Sequence, residues 1–281
     1  MKYIGAHLKK ESGSLVNTLK VLSNNGGNAL QLFVSNPRSI QPPNVSKYEA
    51  ISNEVRAYCK ENDFKLVIHS PYTINLAKEP KIDKRAIELS DCYWTVLLIN
   101  ELLVSDLIGA IGVVVHVGKY TTGTKEDGLE NMFNAMKYIV NEKRARKIKS
   151  RLILETPAGA GTELLNDINE FVSFYNRFTA TEKKHLGICL DTAHIWSSGY
   201  DINQYYDIIS KTNKDDIITI HYNNSQKELG SKVDKHETLF AGKIPISDMR
   251  LFIDNLKNYP IIILETPSDK LNKEIEWIRD I

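Results

Sequence analysis

Two patterns of apolar positions alternate along this chain. Short runs rich in β-branched residues recur, and between them lie longer stretches in which apolar residues return every three or four positions. The first pattern predicts strands at 3–7, 29–34, 65–70, 111–117, 151–156, 186–192, 217–222 and 261–266. The second predicts helices near 14–24, 46–61, 83–105, 126–142, 167–178, 202–211, 246–258 and 272–280. Strict βα alternation with almost continuously apolar strands implies a parallel sheet covered by helices on its outer face. With eight such units, closure into a single (β/α)8 TIM barrel spanning 1–281 is the economical arrangement, and such barrels typically run to about 250 residues. No G-x-G-x-x-G follows the first strand, so a doubly wound nucleotide-cofactor fold is disfavoured.

Composition narrows the function. Hydrophobic residues make up 42% and charged residues 25%, which excludes disordered and fibrous classes. Lys and Arg total 36 against 35 Asp and Glu, a net charge of +1. The chain therefore lacks the basic excess of a non-specific nucleic-acid coat, and any polyanion must be gripped locally. Three scattered cysteines, Cys59, Cys92 and Cys189, supply neither a disulfide framework nor a paired-cysteine zinc site, and an intracellular protein is expected. No apolar run approaches the roughly 18 residues that span a bilayer, so no membrane partner is expected. The run from Cys92 to Val104 is broken by Asn100 and Glu101 and suits a buried helix.

Histidines and acids fall in telling places. His69, His116, Glu155, Asp191, His221 and Glu265 each sit at or near the C-terminal end of the third to eighth predicted strands, in order. In a barrel those ends converge on the face that carries active sites. His194, Asp234 and His236 follow in adjoining loops. The spacing of Asp191 and His194 lets one turn serve two neighbouring metals, and Asp234 and His236 share one side of an extended segment. A lone strand-end histidine is ordinarily a hydrogen-bonded core residue. Nine donors converging on one face would be costly to bury unpaired, and a shared cation resolves that cost. Nine exceed the four of a single zinc site, so two or three metals are implied. Three divalent ions against four carboxylates leave a positive centre suited to a phosphodiester, which favours three. His7 is expected to serve a structural or supporting role, His185 to lie on the opposite face, and Cys189 to act as a small buried hydrophobe.

These residues bear a resemblance. From Lys2-Tyr3-Ile4-Gly5-Ala6-His7 through Leu190-Asp191-Thr192-Ala193-His194 and Gly230-Ser231-Lys232-Val233-Asp234-Lys235-His236 to Ile263-Leu264-Glu265-Thr266, the chain resembles the endonuclease IV family of apurinic/apyrimidinic endonucleases. The resemblance covers essentially the whole length, and the G-S-x-V-D-x-H loop is its most specific element. It implies three zinc ions (Zn2+) per chain, with manganese (Mn2+) acceptable at one position. His69 and His116 would hold one, Glu155 would bridge it to a second also bound by Asp191, His221 and Glu265, and His194, Asp234 and His236 would hold the third. Glu155 and Glu265 are the implied catalytic carboxylates, Glu265 also orienting the attacking water. The implied reaction is hydrolysis of the phosphodiester 5′ to an abasic site in duplex DNA, giving a 3′-hydroxyl and a 5′-deoxyribose phosphate. Trimming of blocked 3′ ends accompanies it, and the enzyme is expected to be a monomer.

An abasic nucleotide must leave the duplex to reach such a site. The resemblance assigns the filling of the vacated gap to Arg38 and Tyr72. Thr73 stands where the family has leucine, and a smaller polar residue makes a weaker wedge. Segment 239–244 also departs from the family's glycine-glutamate-glycine pattern. The alternative is a single-metal sugar isomerase or epimerase of the xylose isomerase-like barrels, whose Glu, Asp, His, Glu set is matched by Glu155, Asp191, His221 and Glu265. His69, His116, His194, Asp234 and His236 would have no task there.

Overall fold

The computed structural model describes residues 2–10, 14–83, 85–258 and 260–281. Its barrel strands are β1 (Ile4–His7), β2 (Ala29–Leu32), β3 (Lys65–His69), β4 (Gly112–His116), β5 (Arg151–Glu155), β6 (Leu186–Asp191), β7 (Ile217–His221) and β8 (Ile261–Leu264). Each pairs in parallel with its sequence neighbours, and β1 pairs with both β2 and β8, so the sheet closes. The helices are α1 (Leu15–Asn24), α2 (Val45–Glu61), α3 (Tyr93–Ile108), α4 (Lys125–Ala145), α5 (Ile168–Tyr175), α6 (Ala180–Lys183), α7 (Thr192–Ser198), α8 (Ile202–Asn213), α9 (Ile246–Asn255) and α10 (Leu271–Arg279). Side chains set several helix starts. The Ser14 hydroxyl accepts from Asn17 N ahead of α1, and Thr124 with Asp127 forms a reciprocal capping box at α4.

Two apolar layers result from strand alternation. Outward residues pack under the helices, whereas Ala29, Val67, Val114, Ile153, Cys189, Ile261 and Ile263 fill the barrel interior. Cys189 is fully buried there, as its sequence context suggested. Because side chains on one face recur every second residue, the position two beyond each interior residue points inward one layer higher. Gln31, His69, His116, Glu155, Asp191 and Glu265 occupy those places, and His221 follows buried Thr219 in the same way. The apolar layer is thus the floor of a polar cup. Glycine is required where β1 meets β2: a Cβ on Gly5 would lie 1.6 Å from the Ala29 carbonyl oxygen.

Three local features differ from the sequence expectation. The helix predicted from 83 begins only at Tyr93, since Lys81–Ile82 and Arg85–Ala86 pair as a small antiparallel hairpin. Asp83 turns that hairpin at φ 47°, a left-handed conformation that aspartate tolerates and a helix does not. Two short helices were also unforeseen, α6 and α7, the latter starting directly at the end of β6. Among the described residues no helix is long and apolar enough to cross a membrane.

Candidate metal centre

All nine predicted donors meet at the C-terminal mouth of the barrel. His69, His116 and Glu155 form one group whose ligand atoms lie within 4.8 Å of one another, and Glu155, Asp191, His221 and Glu265 form a second. Asp191, His194 and His236 form a third, and Asp234 Oδ1 joins it 3.3 Å from His194 Nε2 and 3.1 Å from His236 Nε2. Glu155 stands at the centre. Its Oε2 lies 3.5 Å from His69 Nε2 and 3.4 Å from His116 Nε2, while its Oε1 is 2.7 Å from His221 Nδ1.

Backbone carbonyls select the tautomers of two rings. His69 Nδ1 donates to Ser70 O and His194 Nδ1 donates to Thr156 O, both at 2.8 Å, which leaves each Nε2 lone pair facing the cluster when the ring is neutral. Glu155 Oε2, His194 Nε2 and His236 Nε2 are buried and face other members of the cluster at ion-pair distances of 3.1–3.6 Å without a well-formed hydrogen bond. Buried polar atoms held this loosely are expensive. Imidazole and carboxylate donors grouped around them are a set that divalent metals satisfy, so the residues present fit metal ions.

Electrostatics carries the same message. Burial opposes ionisation of Glu155, but His116 and His221 overcome it and hold the carboxyl well below its usual range. For His236, burial is outweighed by the carboxylates of Asp191 and Asp234, which raise its pKa to about 9. Such ion pairs put protons on the same lone pairs a cation would use.

Sequence reasoning missed the residues that hold the donors. Gln31 Oε1 accepts from His221 Nε2 at 2.8 Å, and its Nε2 donates to Glu265 Oε1 at 2.7 Å. Asn223 Nδ2 donates to Asp191 Oδ2 at 2.8 Å, while its Oδ1 accepts from the Glu265 amide at 2.7 Å. Gln31 carried a readable signal, a polar residue two beyond interior Ala29 in an apolar strand. His7 Nδ1 lies 3.2 Å from Glu265 Oε1, which is the supporting role expected of it. His185 sits just ahead of β6, at the other end of the barrel, 3.1 Å from Lys143 Nζ.

The residues expected to touch DNA stand at the rim. Tyr72 is 62% exposed, large for an aromatic ring, and its ring centroid lies 5.8 Å from those of both His69 and His116. Its amide donates to Pro37 O at 3.0 Å, joining its loop to the one that carries exposed Arg38. Thr73 instead turns inward, its hydroxyl donating to Ser39 O at 2.8 Å, so this side chain ties two loops together. A cavity of about 490 Å³ opens beside the cluster, lined by Tyr72, Asn75, His116, Lys119, Glu163 and Asp234 among others.

The loop bearing Asp234 and His236 is braced by α7. Lys232 N donates to Ser197 O at 2.9 Å, Ser197 Oγ donates to Val233 O at 3.0 Å, and Gly230 N donates to Trp196 O at 3.0 Å. Gly230 adopts φ 74° against Gly199, a conformation that favours glycine.

A closed barrel with this donor set at its mouth defines a class, and the family described as xylose isomerase-like TIM barrel matches residues 19–281. The chain is 32% identical over 275 residues to a Mycoplasma mobile protein named "Probable endonuclease 4", covering 94% of this chain and 91% of that one. A Mycoplasma genitalium protein of the same name is 33% identical, with 89% and 86% covered. The crystal structure of endonuclease IV from Thermus thermophilus superposes with a TM-score of 0.79 at 26% identity, covering 99% of this chain and 98% of that one. A D-tagatose 3-epimerase-like protein shares the fold alone, with 16% identity, a TM-score of 0.70 and 100% and 96% covered. The chain belongs to the endonuclease IV family, and so to the metal-dependent nucleases, a class of hydrolase.

Proposed function

We propose that this protein is a DNA-repair endonuclease that hydrolyses the phosphodiester 5′ to an abasic site in duplex DNA, leaving a 3′-hydroxyl and a 5′-deoxyribose phosphate, and that it also trims blocked 3′ ends. It does so as a monomeric, single-domain intracellular enzyme with three divalent metals, zinc in the first place. The observation that supports this reading is the grouping of nine donors into three sets around buried Glu155 Oε2, His194 Nε2 and His236 Nε2. His69, His116 and Glu155 serve one metal; Glu155, Asp191, His221 and Glu265 a second; and His194, Asp234 and His236 a third. Bound there, metals supply Lewis acidity toward the phosphate and activation of water at neutral pH.

The chain's own groups do the rest. Gln31 and His7 hold Glu265 Oε1, which turns Oε2 to the cluster, 3.3 Å from His221 Nδ1, where Glu265 would serve the second metal and the water bound beside it. Among the described residues, the hydroxyls and the thiol beside the cluster are otherwise engaged or protonated. The Thr156 hydroxyl accepts from the Asp191 amide, that of Thr192 donates to Asn223 O, and burial pushes the Cys189 thiol up to about 12, so it stays neutral. Arg38 and Tyr72 fill the gap left by the flipped abasic nucleotide.

The sugar-isomerase alternative accounts for Glu155, Asp191, His221 and Glu265 only. It leaves His69, His116, His194, Asp234 and His236 gathered without purpose. Incubating the purified protein with abasic-site duplex, with and without chelator, tests the reading. Chelator-sensitive cutting on the 5′ side of the abasic nucleotide is expected, and intact duplex in both arms rejects it.

A further inference from the structure

A carboxylate outside the metal centre lacks an evident task. Glu101 lies in the middle of α3 among Leu97, Leu98, Leu102 and Val104, with no exposed surface. A buried carboxylate on an apolar helix weakens the core unless hydrogen bonds compensate. Glu101 has one such bond: its Oε1 accepts from Ser35 Oγ at 2.5 Å, and its Oε2 has no partner. Burial pushes its pKa up to about 7 against the pull of that hydroxyl. Leucine here would pack better, so the position is explained by what Ser35 holds.

Ser35 follows β2 and precedes Arg38 by three residues. On one side of it, Tyr48 OH donates to Val34 O at 2.9 Å. On the other, Pro37 O accepts from the Tyr72 amide and Ser39 O from the Thr73 hydroxyl. The Arg38 and Tyr72 loops therefore form one unit, and the Ser35 hydroxyl bolts it to α3 of the outer ring.

We infer that Glu101 is a positioning residue that, through the Ser35 hydroxyl, fixes residues 35–39 so that Arg38 meets the duplex beside Tyr72. The inference rests on the proposed abasic-duplex activity.

It is tested on the full-length, metal-loaded protein with Ser35→Ala, Glu101→Ala and Glu101→Gln, by steady-state cleavage of abasic duplex and by tryptic cutting after Arg38. KM should rise roughly five- to tenfold in both alanine variants, the effect of one lost hydrogen bond, with kcat within about twofold of the parent. Glu101→Gln should stay near the parent because its amide oxygen accepts the same hydroxyl. Trypsin should cut after Arg38 faster in the alanine variants alone. An unchanged KM in Ser35→Ala, a loss confined to kcat, or a Gln variant as impaired as the Ala one overturns the inference. If Glu101→Ala does not fold, Ser35→Ala carries the test from a half-buried position. Should the parent protein leave abasic duplex uncut, the functional reading fails, and unchanged tryptic cutting of Ser35→Ala separately overturns the bolt.

Discussion

Asp191 caps the helix on which His194 stands: its Oδ1 accepts the His194 amide at 2.8 Å. The three-residue spacing is thus an N-cap and its N3 position, with β6 ending at Asp191 and α7 beginning at the next residue, Thr192. One oxygen does the capping. The other stays with the cluster, 3.7 Å from His221 Nδ1 and 3.6 Å from His236 Nε2. Secondary-structure chemistry therefore aims two donors at neighbouring positions without a dedicated loop.

On the proposed arrangement, protein purified without chelator should carry about three metal ions per chain, since single zinc sites take about four protein donors and nine are grouped here. Elemental analysis of dialysed material checks this. One ion or fewer at full activity contradicts the trinuclear arrangement.

Glu265→Gln preserves shape and removes a charge beside His221 and His7. Cleavage should fall by roughly two orders of magnitude or more, while the protein folds and still binds abasic duplex. Near-parental turnover would make the position structural.

Gln31→Ala should weaken metal binding by about 10- to 100-fold, because Gln31 orients both His221 and Glu265 from behind. Competition with a chromophoric chelator measures it. Parental affinity would show that packing alone orients those two donors.

Replacing Arg38 and Tyr72 together with alanine should weaken abasic-duplex binding by roughly 5- to 150-fold, the cost of lost stacking, and leave metal content unchanged. A blocked 3′ terminus needs less duplex distortion and should suffer less. Equal losses on both substrates would place the two residues in general backbone contact.

Metal removal should expose a pH dependence. In stripped protein the His236 pKa is raised to about 9, so folding binds a proton between the ordinary imidazole value and that figure. Its contribution to stability is complete below about pH 6.5 and is lost as pH rises through about 9. Thermal melts of stripped protein should therefore drop across that window, whereas metal-loaded protein should not if the proposed third metal takes the His236 ring nitrogen. Parallel melting curves for the two forms contradict this.

Much of the site was legible because barrel geometry turns sequence order into position. A strand that reads Val67-Ile68-His69 or Ile153-Leu154-Glu155 places its last side chain one layer above an interior apolar residue, and parallel closure brings those ends together. Local pattern was less dependable where one residue reset the backbone, as Asp83 did by turning the chain ahead of α3.

The donors, their strand-end positions and the alternating framework follow from the sequence alone, since period and chain order determine them. Tertiary structure decided which atoms face which: that Gln31 meets His221 and Glu265, 190 and 234 positions away, that Thr73 turns inward to Ser39, and that Glu101 reaches Ser35. Hydrogen bonds act over about 3 Å and carry no trace in the spacing of distant residues, so these contacts arise only when closure of the barrel brings the strands together.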